Sequence, residues 1–377
     1  MAMKPVLFLE VDLPELLPFS RFRSIFSFRD GIYSSFERAR LTYPDREFVY
    51  FHADPERERL LAGVEGLDSY RSLADRYGWP SVDTIEEKFG ENLDQIFDLH
   101  SPRRFPAING FIDVLTPANV PVLDLLNRIP KRLTADLEWW LNVEANRLMR
   151  RKDLRNGGVQ IVGDPLQLFV HESARVLPGS IFDTSNGPIV IDQGAKISPF
   201  SYLEGPLYVG PNARIDDARL TGGCILGAQV RAGGEIENSI FDAFSNKHHE
   251  GFVGHSVLGR WVNLGALSTT SDLKNNYGPV RLQIDGHPVD THTIKFGSLI
   301  GDCVKTAIGT MLNTGTVLDA GSNVFGGSPA KYLPPLSWGL AGNRYEAQRF
   351  VSDCEKIFAR RDQKPPEQLG DLVRLCS

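Results

Sequence analysis

The sequence is poor in cysteine. Cys224, Cys303, Cys354 and Cys376 lie far apart, and no Cys-x-x-Cys pair occurs. This excludes a disulfide framework and a zinc knuckle and leaves reduced thiols as the default state. Long hydrophobic runs are also missing. No segment approaches the ~18 apolar residues of a membrane span. The apolar run Val6-Leu7-Phe8-Leu9 is closed by Glu10 and Asp12, too soon for a secretory signal. A basic excess is absent as well: 41 Lys+Arg against 47 Asp+Glu give a net charge of -6. Wholesale nucleic-acid or anionic-membrane binding wants the opposite sign. A cytoplasmic globular protein is expected. What the chain does have is 35 glycines and 24 prolines within ordinary globular composition, so it turns often.

The 377 residues suggest two domains, or one repeat array with a smaller partner. Residues 1–155 read as mixed α/β. Val6–Val11 and Phe48–Phe51 are short strand candidates, and the charged segments 54–59 and 84–88 read as helix starts or loops. Thr134–Leu154 reads as a helix linking two domains. Leu137, Trp140, Leu141, Ala145 and Leu148 share one face, Thr134 is the N-cap, Arg147, Arg150, Arg151 and Lys152 fill the last turns, and Gly157-Gly158 ends it.

Beyond Gly158 the period changes to six. Val170, Val176 and Phe182 are followed, after a three-residue insertion, by Ile191, Ile197, Leu203, Val209 and Ile215. Mostly small residues come four positions later: Ala174, Ser180, Ala195, Ser201, Leu207 and Ala213. Period six fits neither a helix nor a hairpin sheet. It predicts a three-sided solenoid, each unit making one short strand with an inward aliphatic and one corner rich in Gly or Asn. Val257–Gly265 and Ser298–Gly309 read as further coils, 272–283 as a projecting loop, Thr316–Gly326 as a last coil, and 328–335 as the end of the array. The boundaries drawn are 156–335 for the solenoid and 336–377 for a tail whose helix, 344–361, caps the solenoid or packs on a neighbour.

The segment Ser245-Asn-Lys-His-His-Glu-Gly-Phe-Val-Gly-His-Ser-Val-Leu-Gly-Arg-Trp-Val-Asn-Leu-Gly-Ala, with the hexapeptide coils before it, resembles the C-terminal half of the GlmU family, bifunctional enzymes that acetylate glucosamine-1-phosphate and then uridylylate the product. It is most similar to a variant GlmU-like group of sugar nucleotidyltransferases, through Ser245–His249, Trp261–Ala266, Asp272–Gly278 and Asn323–Gly327. The resemblance covers residues 160–361. It implies an α/β nucleotidyltransferase-like N-terminal domain, a left-handed parallel β-helix with a C-terminal helix, and a homotrimer with active sites between subunits. In the first half, Leu16-Leu17-Pro18, Arg23, Arg29, Gly31 and Ala107-Ile108-Asn109 fit the variant group, but the Gly-x-Gly-Thr-Arg triphosphate cradle is absent.

The resemblance also implies site residues. His249 falls on the general base that takes the amine proton when acetyl-CoA is attacked. Arg219 falls on the sugar-phosphate arginine, and Lys247 is a second cation. Asn263 matches the sugar-contacting asparagine, with a solenoid asparagine ladder as the plainer alternative. Asn276 and Tyr277 belong to the loop beside the acetyl group, and Ala266, Thr306 and Ala307 would meet the coenzyme A arm. Three positions depart from the family pattern: Glu237 replaces lysine, Phe252 replaces tyrosine, and Leu267 replaces glycine. The first two weaken a strict glucosamine-1-phosphate assignment and open a different amino sugar or a different sugar 1-phosphate as acceptor, and Leu267 narrows the acyl site. In the N-terminal half Arg21, Arg23 and Arg29 are nucleotide or phosphate candidates, with Mg2+ and a nucleoside triphosphate if that half is active; a basic surface beside a phenylalanine core is the alternative. No resident metal is expected in the acyltransferase reading. Two other readings stay open: a β-helix metal enzyme resembling γ-class carbonic anhydrase, for which His249 and His255 are one coil spacing apart, and a non-catalytic trimeric scaffold.

Overall fold

The computed structural model describes residues 5–10, 17–77, 79, 113–115, 122–143 and 154–376. The chain divides into two compact units, one of residues 1–28, 34–121 and 347–377, the other of residues 29–33 and 122–346. This grouping differs from a boundary near residue 155 followed by an independent tail.

The first unit is α/β. Among the described residues its four strands are all parallel, in the order Asp68–Ser69, Phe48–His52, Val6–Glu10, Asp113–Leu115. Val6–Glu10 is buried along its whole length, as a central parallel strand must be. Phe8 packs edge-on against Phe36 at 4.4 Å and near Phe26 at 5.0 Å. The expected helix start at Asp54 is realised: Asp54 caps Pro55–Glu65, proline sits in the first turn, and Gly66 closes the helix at φ 66°. Segment 84–88 lies outside the described residues. The C-terminal helices Ala347–Ala359 and Leu369–Leu375 belong to this unit. Phe350 is 5.7 Å from Phe22, a contact within this unit.

The second unit is the period-six solenoid, a parallel β-helix. Val170, Phe182, Ile191, Ile197, Leu203, Val209 and Ile215 are all at most 2% exposed, and Ala174, Ser180, Ala195, Ser201, Leu207 and Ala213 are buried beside them. Parallel register repeats at a step of about 18 residues, as from Ile189 to Leu207 and from Lys196 to Arg214. Residues 272–297 are more than a projecting loop. They contain an antiparallel hairpin, Arg281–Ile284 with His287–Asp290, whose Val280, Leu282 and Ile284 are buried. The array also runs past residue 328: Tyr332–Leu333 and Ser337–Trp338 add strands to the coil of Thr316–Leu318 and Asn323–Val324.

The linking helix is shifted from its expected place. It spans Ile129–Asn142, and Arg128 occupies the N-cap position. Pro130 in the first turn sets the start. Thr134 lies inside and bonds its hydroxyl back to the Pro130 carbonyl. The buried stripe is Ile129, Leu133, Asp136 and Trp140. It packs on the solenoid strand Arg214–Leu226 rather than bridging two domains. Asp136 accepts the Tyr33 N–H at 3.2 Å, and Arg132 meets Asp30 at 3.2 Å, which ties residues 29–33 to the same unit. Residues 144–153, with the basic last turns, lie outside the described residues. Among the described residues no helix is long and apolar enough to cross a membrane, and none of the four cysteines is in a disulfide.

Candidate functional site

The solenoid builds one corner with unusual care. Strand Asn246–Lys247 pairs with Arg231–Ala232 of the preceding coil, and Phe252–Gly254 pairs with Glu235–Glu237. Residues 248–251 turn the corner between them. His248 lies half-buried and His249 is exposed, with ring centroids 4.9 Å apart and edge-on.

Lys247 is the anchor of this turn. Its position continues the inward row of Ile197, Ile215 and Ala232, so the side chain enters the solenoid and is 1% exposed. The small Ala232 leaves room for it. Its ammonium donates to the Gly233 carbonyl at 2.8 Å and to the His249 carbonyl at 2.6 Å. Burial pushes its pKa down to about 8 against a small opposing effect of Glu250. The expectation of a substrate-binding cation is therefore corrected: an inward register position and two carbonyl partners make Lys247 a support for the turn.

His248 faces Asp216, with Nδ1 3.3 Å from Oδ2. Asp216 also accepts the Ser198 hydroxyl at 2.5 Å and lies 2.5 Å from Arg214 Nε. Burial would raise the Asp216 pKa, but the Ser198 hydrogen bond and Arg214 outweigh it and hold the carboxylate below its usual range. Burial lowers the His248 pKa; Asp216 opposes this, and His249, Arg214 and Arg231 add to it. His249 makes no side-chain hydrogen bond or ion pair among the described residues, so its ring is presented to solvent by a braced backbone.

Gly233 is dictated by this corner. A Cβ there would come within 2.0 Å of the His248 carbonyl oxygen and 3.1 Å of the Asp216 carbonyl. Gly233→Ala is expected to cost about 1–3 kcal/mol through overpacking and to move the turn. Urea unfolding and the NMR resonances of both imidazoles check this; unchanged resonances would contradict it.

The other expected site residues are dispersed. Arg219 is 65% exposed, lies over the Tyr202 ring at 5.6 Å and is 3.7 Å from Glu235. Register places Tyr202, Arg219, Glu235 and Phe252 in one outward row, so Arg219 shares the face that begins after the histidine turn. Asn263 is exposed and accepts from Asn246 at 2.8 Å, a short asparagine ladder. Tyr277 is 68% exposed, and Asn276 accepts the Gly278 N–H. Ala266 and Ala307 are half-buried. Thr306 turns inward, where its hydroxyl meets Ser268 at 2.9 Å, so its side chain does not line a coenzyme groove in this structure. Leu267 and Ile308 stand exposed at neighbouring corners.

Arg23 is also corrected. It is 3% exposed, with Nη1 3.4 Å from Ser27 and its guanidinium over the Phe28 ring at 5.7 Å. Phe22, Phe26 and Phe28 are buried, so this stretch serves the core. Arg21 and Arg29 are half-buried and fall in different units.

His255, but not His249, belongs to a group of possible metal ligands within this chain among the described residues. Among the described residues the group with metal-ligand geometry is Glu237, His255 and Asp272, whose ligand atoms lie within 4.8 Å of one another. His255 Nδ1 bonds Asp272 at 2.7 Å, and Glu237 meets Lys295 at 3.3 Å. The His255 hydrogen bond is the main cause that holds the Asp272 carboxyl below its usual pKa. These residues could hold a divalent ion if Lys295 swung away. Sequence reading missed Asp216, Ser198 and Gly233, which no local motif marks, and the inward position of Lys247, which coil lengths of varying size move off the period of six.

No family model matches the chain. It is similar to curated bifunctional GlmU proteins: 34% identical over 143 residues to that of Chromobacterium violaceum, covering 37% of this chain and 28% of that protein; 33% over 157 residues to that of Methylibium petroleiphilum, covering 41% and 30%; and 28% over 243 residues to that of Nocardia farcinica, covering 60% and 45%. The chain thus spans less than half the length of these relatives. A structure of PerB from Caulobacter crescentus in complex with CoA and GDP-perosamine aligns over 62% of this chain and 77% of that one, at 15% identity and a TM-score of 0.17, which carries no argument. The second unit, a hexapeptide solenoid, is thus similar to part of the curated bifunctional GlmU proteins.

Proposed function

We propose that the solenoid unit transfers the acetyl group of acetyl-CoA to the amine of an amino-sugar 1-phosphate, with His249 as general base. The observation that carries this is the exposed His249 imidazole on a turn fixed from beneath by Lys247. The amine nitrogen attacks the thioester carbonyl, His249 takes the amine proton, the carbon–sulfur bond breaks, and the thiolate leaves as coenzyme A with that proton. Holding amine and thioester together supplies much of the rate. The exposed Leu267 and Ile308 offer apolar surface for the pantetheine arm, with Ala266 and Ala307 beside them, and Leu267 narrows the acyl end. Arg219, Asn263, Asn276 and Tyr277 are solvent-facing candidates for the sugar phosphate.

The N-terminal α/β unit is read as nucleotidyltransferase-like, acting on a sugar 1-phosphate and a nucleoside triphosphate with Mg2+; Arg21 remains its phosphate candidate, whereas Arg29 belongs to the solenoid unit. The protein acts in the cytoplasm as a homotrimer. Coenzyme A release from acetyl-CoA is expected with at least one member of a panel of amino-sugar 1-phosphates and nucleotide-linked amino sugars. No release with any acceptor would overturn the acetyl-transfer reading. Pyrophosphate release is the separate test of the N-terminal unit. Glu237, His255 and Asp272 favour a second, metal-dependent reading, which is supported only if chelation abolishes the activity and zinc or manganese restores it.

A further inference from the structure

One outward row of the solenoid consists of hydrogen-bond donors from coil to coil. Arg175 is in register with Lys196, Lys196 with Arg214, and Arg214 with Arg231. The row continues through Asn246, Asn263, Lys305 and Asn323. No carboxylate interrupts it. Its first four members are cations, one per coil, spaced by the ~4.8 Å of neighbouring strands and spanning about 14 Å. Arg175, Arg214 and Arg231 are exposed, and Lys196 is half-exposed. Arg214 has Asp216 as partner. Arg175, Lys196 and Arg231 have no carboxylate partner among the described residues.

Like charges directly opposite one another on a sheet are unfavourable. A solenoid repeats its backbone but not its outward side chains, so the fold does not require four stacked cations. Their cost is removed when an anion with several charges lies along them, and guanidinium forks favour phosphate oxygens. The row leads to the histidine turn: Arg231 pairs with Asn246, two residues before His248, and Arg214 shares Asp216 with His248.

We propose that Arg175, Lys196, Arg214 and Arg231 form a track for a ligand carrying two or more phosphate groups, running from the histidine turn toward the first coils. Two sources share this chemistry: the diphosphate of a nucleotide-linked amino sugar, and the phosphorylated adenosine end of coenzyme A. The ligand's identity, though not the binding itself, rests on the acetyl-transfer reading above.

The test is calorimetric binding of UDP, inorganic pyrophosphate and coenzyme A to the full chain, the Arg175→Ala/Lys196→Ala double variant, Arg231→Ala, and Arg281→Ala as an exposed control outside the row. Row variants are expected to weaken one ligand class about tenfold per cation removed, with a shallower salt dependence, and Arg281→Ala to leave that class unchanged. Loss of UDP and pyrophosphate binding alone assigns the track to the sugar nucleotide; loss of coenzyme A binding alone assigns it to the acyl donor. Relief of repulsion should leave the melting temperature of the row variants equal to or above that of wild type. Absence of binding in wild type, equal affinity in all variants, or a melting temperature that drops in the row variants would overturn the track. Because binding is read without turnover, a protein that binds these ligands but never acetylates a sugar defeats only the acetyl-transfer reading.

Discussion

His249→Ala is expected to lower kcat for acetyl transfer by about 10²–10⁴-fold, the usual worth of a positioned general base. The affinity for coenzyme A and the melting temperature should hardly move, because the imidazole is exposed and makes no hydrogen bond or ion pair among the described residues. His248→Ala is the necessary companion. That ring leans on Asp216, which keeps Ser198 and Arg214 after the substitution. It should cost at most about tenfold, through the loosened turn rather than a lost proton acceptor. Burial biases His248 toward the neutral form, so it too could accept a proton. A large loss in His248→Ala with near-normal kcat in His249→Ala would therefore exchange the two roles. Steady-state kinetics of both variants at saturating acetyl-CoA decides between them.

Lys247→Met should be the most disruptive of the structural changes at this corner. Methionine matches the length of the stem but leaves the Gly233 and His249 carbonyls without their donor. Each unsatisfied buried carbonyl costs about 1–3 kcal/mol, and relief from burying an ammonium offsets part of this, so a net loss of about 1–4 kcal/mol is expected. The turn that carries His249 loosens with it, and kcat should fall about tenfold or more with a smaller change in KM. The same residue makes a pH prediction. Its pKa is pushed down to about 8 in the folded state from an ordinary 10.5. Between those values the unfolded chain binds more protons than the native one, so stability rises with pH across that window and levels off above it. The full effect is at most about 3.5 kcal/mol. Urea unfolding of wild type and variant at pH 7.5, 9 and 10 isolates it, since other titrating groups cancel in the difference. A difference between the two proteins that stays constant with pH would rule out a buried, titrating Lys247.

Lys247 and Arg23 show the limits of motif reading. Both are cations in segments that resemble phosphate-handling stretches, and both are internal. A charged side chain is buried when its backbone position faces inward and the interior offers acceptors, and neither condition is written in the motif. Their neighbours were read correctly for the opposite reason. Ile197, Leu203 and Ile215 are inward because period six leaves an aliphatic no other phase. The 272–297 insertion fell between these cases. Its polar start reads as a loop, and the hairpin that follows becomes visible only when Arg281–Ile284 finds His287–Asp290.

The sequence alone determined the solenoid, its inward rows, the α/β character of the first unit and the resemblance carried by residues 245–266. All of these rest on local spacing, which a repeat copies along the chain. The tertiary structure alone decided which outward residues align. Coil lengths vary and an insertion interrupts them, so the union of Asp216 with His248, the approach of Gly233 to the histidine turn, and the row from Arg175 to Arg231 depend on cumulative register between coils. It also decided that the last two helices join the first unit, because the apolar face Phe350, Cys354 and Phe358 names no partner until Phe22 is beside it, nor does Leu369–Leu375 until it meets the Pro55–Glu65 helix.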